Sequence, residues 1–151
     1  MGPASTLADC LAGLGFQAHP LTRNALGHFQ IAGELAGSQV DLLVDTGAAS
    51  TVVDLGYCRT RGLPLEETGG RGGGAGGADM PIFRLPDLDL ALGGTSLRTN
   101  GIYALDLAHV NGALVKKGAA GVHAILGADV LTHHRAVIDY GGGTLYLGSN
   151  A

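Results

Sequence analysis

With 151 residues, 46% of them apolar and 5% aromatic, the chain is long enough for one domain with a real core and too apolar for general disorder. A formal charge of −4 and a pI near 5.8 leave no cationic surplus for phosphate recognition, so a nucleic-acid partner is not expected. The 27 glycines, the absence of Trp and the lack of long helical periodicity indicate an all-β protein with many turns.

In chain order, residues 5–14 read as a short amphipathic helix. Ser5 or Thr6 caps it, and Leu7, Leu11 and Leu14 fall at i, i+4, i+7. The first sixteen residues lack a basic n-region and place Asp9 inside their apolar part, a poor signal peptide, and no apolar run reaches the length of a membrane span. The expectation is a cytoplasmic protein without a membrane partner. Cys10 and Cys58 make neither a disulfide framework nor a zinc pairing, which fits a reducing compartment, with one bridge between them as the alternative. Residues 1–24 form an N-terminal extension and residues 25–151 one domain.

Residues 29–35 and 39–45 read as strands joined by a hairpin at Ala36-Gly37-Ser38, and 50–54 as a third strand. A short helix or turn over 56–62 closes at Gly62 and Pro64. Residues 82–92 alternate apolar and polar towards their end, Gly93-Gly94 turns the chain, and 96–105 reads as a strand. Residues 106–121 read as a loop carrying the turn signals Asn111-Gly112 and Lys117-Gly118. A buried strand over 122–126, a short helix over 127–134 and a hairpin around Gly141-Gly142-Gly143 complete the chain.

Three stretches stand out. In the first, the apolar run Leu42-Leu43-Val44 delivers Asp45-Thr46-Gly47-Ala48, and Thr51-Val52-Val53 follows. A carboxylate placed there must be satisfied locally or be chemically employed, because an unpaired buried one is expensive. The second is the tract 69–77. Its formal G-x-G-x-x-G from Gly72 to Gly77 is not a dinucleotide site, since no helical pattern follows and Pro81 intervenes. A hairpin tip suits it better. The third is Ile125-Leu126-Gly127, leading to Asp129-Val130-Leu131 and Ala136-Val137-Ile138-Asp139-Tyr140.

In this order the three stretches resemble the retropepsin-like aspartic peptidases, from about residue 29 to residue 147. The resemblance implies an all-β, closed acid-protease barrel with one short C-terminal helix beside the short N-terminal helical extension. It implies an aspartic endopeptidase whose Asp45 is catalytic, with Thr46 bracing the loop across a dimer and Gly47 letting the backbone approach the carboxylate. Gly73, Gly74, Ala75, Gly76 and Gly77 would form a substrate-covering flap. Ala48, Ile125, Leu126 and Gly127 would support the active-site loop. One Asp-Thr-Gly is half of a carboxylate pair, so a homodimer and a peptide or protein substrate follow, with no cofactor and no metal.

Two positions depart from the viral pattern. The acid after the first motif and the arginine after the later glycine are replaced by Ala49 and Ala128. The stretch between Asp45 and Gly127 is also longer than in the compact viral enzymes, with the surplus assigned to 106–121. The alternative is a catalytically inactive module of the same fold that binds peptides or dimerises. Other readings are local: Asp45 as an Asx-turn residue, the glycine tract as a surface loop, Asp87 and Asp89 as a solvated face. His123, His133 and His134 lack ligand spacing, and Cys58 has no neighbouring histidine.

Overall fold

A computed structural model describes residues 6–72 and 80–148. Helix α1 (Leu7–Gly13) begins at Thr6, whose hydroxyl accepts the Asp9 N–H while the Asp9 carboxylate accepts the Thr6 N–H, a reciprocal capping box. Next come β1 (Gln17–Pro20), β2 (Thr22–Arg23), β3 (Phe29–Leu35), β4 (Ser38–Val44) and β5 (Val52–Asp54). Helix α2 (Leu55–Arg61) is followed by β6 (Glu66–Gly72), β7 (Met80–Leu85), β8 (Leu90–Leu92), β9 (Thr95–Ser96) and β10 (Ile102–Leu105). The chain ends with α3 (Ala108–Lys116), β11 (Ala124–Leu126), α4 (Ala128–His133), β12 (Val137–Asp139) and β13 (Thr144–Leu147).

The architecture is mostly β. A ten-stranded sheet runs in the order β6-β7-β10-β5-β11-β4-β3-β8-β9, with β2 also on β3, and a three-stranded sheet runs β1-β13-β12. The β3–β4 hairpin turns at Ala36 and Gly37, both at positive φ (49° and 83°), the primed turn whose twist matches that of the strands. Along β3, Phe29, Ile31, Gly33 and Leu35 alternate inward and meet Val40 and Leu42 of β4. Burying each large aliphatic side chain of this set contributes about 1.5–3 kcal/mol. Gly33 leaves room for the neighbouring strand, since a Cβ there would come within 2.8 Å of the Ala91 carbonyl.

The decisive pairing is that of β11. It runs parallel to β4, with Leu126 opposite Val44, and antiparallel to β5, with Ile125 opposite Val52. Residues 45–51, which join β4 to β5, must therefore step over an intervening strand, a span of about 10 Å at ordinary strand spacing.

Several expectations change. Among the described residues the ends of the large sheet, β6 and β9, are not paired with each other, so the strand path is open and no closed barrel is seen. β9 has two residues, and β6 shifts register between Glu67 and Arg71, so neither end offers a regular ladder. Helices number four among the described residues. Residues 106–121 hold α3 instead of a loop: Asp106 accepts the Ala108 N–H, and Asn111, read from sequence as a turn residue, uses its amide to bracket both backbone groups of Val122. Pro86 and Asp87 (φ 50°) break the expected strand 82–92 into β7 and β8. The expected strand 96–105 splits into β9 and β10. Of the apolar face expected for α1, Leu11 is buried, while Leu7 and Leu14 are exposed. β1, within the expected extension, pairs along its length with β13.

His19 of β1 is buried, and its Nε2 has no hydrogen-bond partner among the described residues. Burial, and secondarily the nearby His134, lower its pKa from the ordinary imidazole value. The unfolded chain therefore takes up a proton first, and stability falls as pH drops below about 6.5. Urea denaturation at pH 7.5 and pH 5.5 should show a larger acid loss for the native chain than for His19→Leu; parallel losses would refute this.

Candidate active site

Asp45 is the first residue beyond β4, half-buried at the mouth of the β4–β5 connection. Its N–H donates to the Leu126 carbonyl at 3.0 Å, extending the β4–β11 ladder by one bond. Its carbonyl accepts the Ala48 N–H at 3.2 Å, and its Oδ1 accepts the Gly47 N–H at 2.9 Å. That last bond has the Asx-turn pattern, so the local reading of Asp45 is correct as far as Oδ1 goes. Oδ2 has no hydrogen-bond partner among the described residues. A Cβ at position 47 would stand 3.3 Å from Oδ1, so glycine keeps the approach to the carboxylate clear.

Gly127 sits behind the loop under tighter constraint. A Cβ there would lie 2.6 Å from the Ser50 carbonyl oxygen and 2.9 Å from that of Ala48, both backbone atoms that cannot swing away. The next residue, Ala128, donates its N–H to the Ala48 carbonyl at 2.7 Å. Leu126 is fully buried and Ile125 nearly so. The structure thus brings Asp45, Gly47, Ala48, Ile125, Leu126 and Gly127 into one backbone-bonded unit. Thr46 lies exposed at its front, and its hydroxyl has no partner among the described residues.

Gly73, Gly74, Ala75, Gly76 and Gly77 lie outside the described residues. The flanking strands are described: β6 and β7 pair antiparallel, with Gly72 opposite Met80 and Glu66 opposite Arg84. The Glu66–Arg84 ion pair, 3.5 Å long and half in water, adds at most about 1 kcal/mol.

Sequence reasoning missed the residues that shape the space in front of Asp45. A cavity of about 160 Å³ is lined by His28, Phe29, Asp45, Thr46, Ile138 and Tyr140. Phe29 and Tyr140 hold their ring centroids 4.9 Å apart, and the Arg23 guanidinium sits 4.4 Å from the Phe29 ring. These residues come from opposite ends of the chain and carry no local signal. Thr46 also lines a groove of about 380 Å³ bounded by Ala128, Leu131, Ala136 and Ile138. A second missed pair, Thr51 and Asp129, is buried behind the loop, and the Thr51 hydroxyl donates to Asp129 Oδ1 at 2.7 Å. Thr51 lies within the recognised motif, which was the available clue.

Among the described residues, no three His, Cys, Asp or Glu side chains converge as metal ligands. His123 Nδ1 accepts the Asp41 N–H, His133 bonds the Asn100 side chain, and His134 bridges the Arg98 N–H and the Gly148 carbonyl. Cys58 is buried beside Asp54, and burial followed by that carboxylate pushes its thiol up to about 11, so it is inert as a nucleophile.

No protein-family model and no curated protein sequence matches the chain. Solved structures do. A retropepsin-like aspartic protease from Rickettsia conorii is 18% identical at a TM-score of 0.56, covering 91% of this chain and 94% of that one. The retroviral protease-like domain of Ddi1 from Leishmania major is 17% identical at 0.54, covering 81% and 89%. EIAV protease, solved with the inhibitor HBY-793, is 20% identical at 0.52, covering 74% and 91%. The chain therefore has the retropepsin-like fold of the aspartic proteases, as its motifs had suggested.

Gly127→Ala should destabilise the chain by about 1–3 kcal/mol, because the added methyl strikes fixed backbone. Gly112→Ala in α3, where a Cβ meets nothing within 4 Å, should instead stabilise it by about 0.5–1 kcal/mol. Urea melts of both variants check the pair, and equal effects would refute the close-approach argument.

Proposed function

We propose that this chain is one half of an aspartic endopeptidase, with Asp45 as its catalytic carboxylate and a second copy supplying the other. The observation that carries the reading is the state of Asp45. Its backbone and Oδ1 are held by Leu126 and Gly47, while Oδ2, beside the cavity, has no partner among the described residues. Two such carboxylates facing one another hold one proton and a water between them. The ionised one takes a proton from the water as it attacks the scissile carbonyl. The protonated one hydrogen-bonds the carbonyl oxygen and stabilises the negative charge that develops there. The fold of the chain supports this assignment, and the homodimer follows from having one Asp-Thr-Gly per chain.

In this reading Thr46, exposed and unpartnered, meets the partner's loop, and residues 73–77 close over an extended peptide. Ala48, Ile125, Leu126 and Gly127 hold the loop from behind. Residues 25–151 form the peptidase unit, and the extension 1–24 is joined to it through β1. Closure of the strand path into a barrel belongs to the same reading. Both cysteines are free thiols, which supports a reducing compartment such as the cytoplasm. No described helix is long and apolar enough to cross a membrane.

A second reading, a dimeric peptide-holding module without turnover, is favoured by Ala49 and Ala128, which remove the charged pair of the viral pattern. Incubation with an unfolded test protein from pH 4 to 7 separates the two. Cleavage that is abolished in Asp45→Asn and blocked by a statine-type inhibitor is expected, with the variant's melting curve unchanged and a dimer in sedimentation. Cleavage persisting in Asp45→Asn would overturn the assignment; peptide binding without cleavage by the native chain would establish the second reading.

A further inference from the structure

We infer that Asp129, acting through Thr51, is the positioning residue that sets where Asp45 stands; the catalytic side of this inference rests on the peptidase reading above. Thr51, directly before β5, is fully buried, and Asp129, in the first turn of α4, is 5% exposed. A buried carboxylate needs strong donors. Asp129 has two: the Thr51 hydroxyl on Oδ1 at 2.7 Å and the Asn100 N–H on Oδ2 at 3.3 Å. Asn100 is held in turn by His133, whose Nε2 lies 2.8 Å from its side-chain oxygen.

The consequence lies in the direction of one proton. The Thr51 hydroxyl has one hydrogen, and it is donated to Asp129 Oδ1. Its lone pairs are then turned to the Gly127 N–H, which donates to Thr51 Oγ1 at 3.0 Å. Gly127 is the residue jammed against the backbone of Ser50 and Ala48. On one side of it the Leu126 carbonyl accepts the Asp45 N–H, and on the other the Ala128 N–H donates to the Ala48 carbonyl. The two ends of the Asp45–Ala48 turn are thus fixed to residues flanking Gly127, and Gly127 is fixed by a hydroxyl whose orientation Asp129 dictates. A carboxylate buried behind the loop thereby determines the seating of the reacting one, where displacements near 1 Å cost about 100-fold in rate.

Four variants test this. Thr51→Val removes the hydroxyl and keeps the shape; Asp129→Leu keeps Thr51 and removes what aims it. Each should lower kcat about 100-fold with KM little changed. Thr51→Ser, which retains the hydroxyl, should restore most of the turnover. Leu114→Ala, a buried truncation in α3 that touches none of these bonds, supplies the control for stability loss alone and should keep kcat. If Thr51→Val or Asp129→Leu loses no more kcat than Leu114→Ala at matched stability, the inference is overturned. Amide hydrogen exchange gives a reading independent of turnover: Asp45 and Gly127 should lose protection selectively in Thr51→Val and Asp129→Leu and keep it in Thr51→Ser. A native chain that does not cleave refutes the peptidase reading. Unchanged protection at these two amides refutes the positioning role.

Discussion

The structure depends on one crowded backbone contact. Because β11 passes between β4 and β5, the connection 45–51 has to cross its end, and Gly127 is where the two backbones meet. With 2.6 Å between the Ser50 carbonyl and the place a Cβ would occupy, no side chain fits without moving main chain. The contact explains why Leu126 and Ala128 reach opposite ends of the Asp45 turn. It also explains why the polar groups at the crossing are bonded to one another. A parallel and an antiparallel partner on the same three-residue strand make this crossing rigid.

The rear and front of the turn contrast sharply. Behind it, the Gly127 N–H, the Leu126 carbonyl and the Ala128 N–H are all engaged, and the side chains there are buried. In front, Asp45 Oδ2 and the Thr46 hydroxyl have no partners among the described residues. The buried polar groups behind the turn are thus satisfied within the fold, and those without a partner lie on its accessible side. Local turn chemistry accounts for Oδ1 and not for Oδ2, so the Asx-turn reading of Asp45 and the functional one describe different oxygens of the same carboxylate.

Much of this was legible in the sequence. The strands that bracket Asp45, the buried Ile125-Leu126 and the helix after Gly127 each carry a local pattern, and the structure has all of them within a residue or two. The hairpin at Ala36-Gly37 and the closing hairpin at 141–143 were equally plain from their turn residues. What escaped was decided by tertiary context. Asn111-Gly112 signals a turn by composition, yet the Asn111 amide is committed to Val122, a bond invisible at a separation of eleven residues, and the segment stays helical. Phe29 and Tyr140 meet in front of Asp45 from the two ends of the chain, and no periodicity relates them. Asp129 sits in the first turn of α4, and its bond to Thr51 spans 78 residues, a separation that no local pattern bridges.

Ala49 and Ala128 take on a definite meaning once the geometry is known. Ala128 contributes to the turn through its backbone N–H, which any residue but proline would supply, so the side chain at 128 is not what ties β11 to the loop. The tie made by Thr51 and Asp129 is buried and independent of those two positions. Replacing both members of an ion pair by alanine leaves no stranded charge, whereas losing one would. The chain therefore keeps the parts that seat Asp45 from within its own fold. It carries alanine at the two positions, 49 and 128, that are charged in the viral pattern. What the front of the turn presents is the polar groups of Asp45 and Thr46, without partners among the described residues, beside a groove bounded largely by Ala128, Leu131, Ala136 and Ile138.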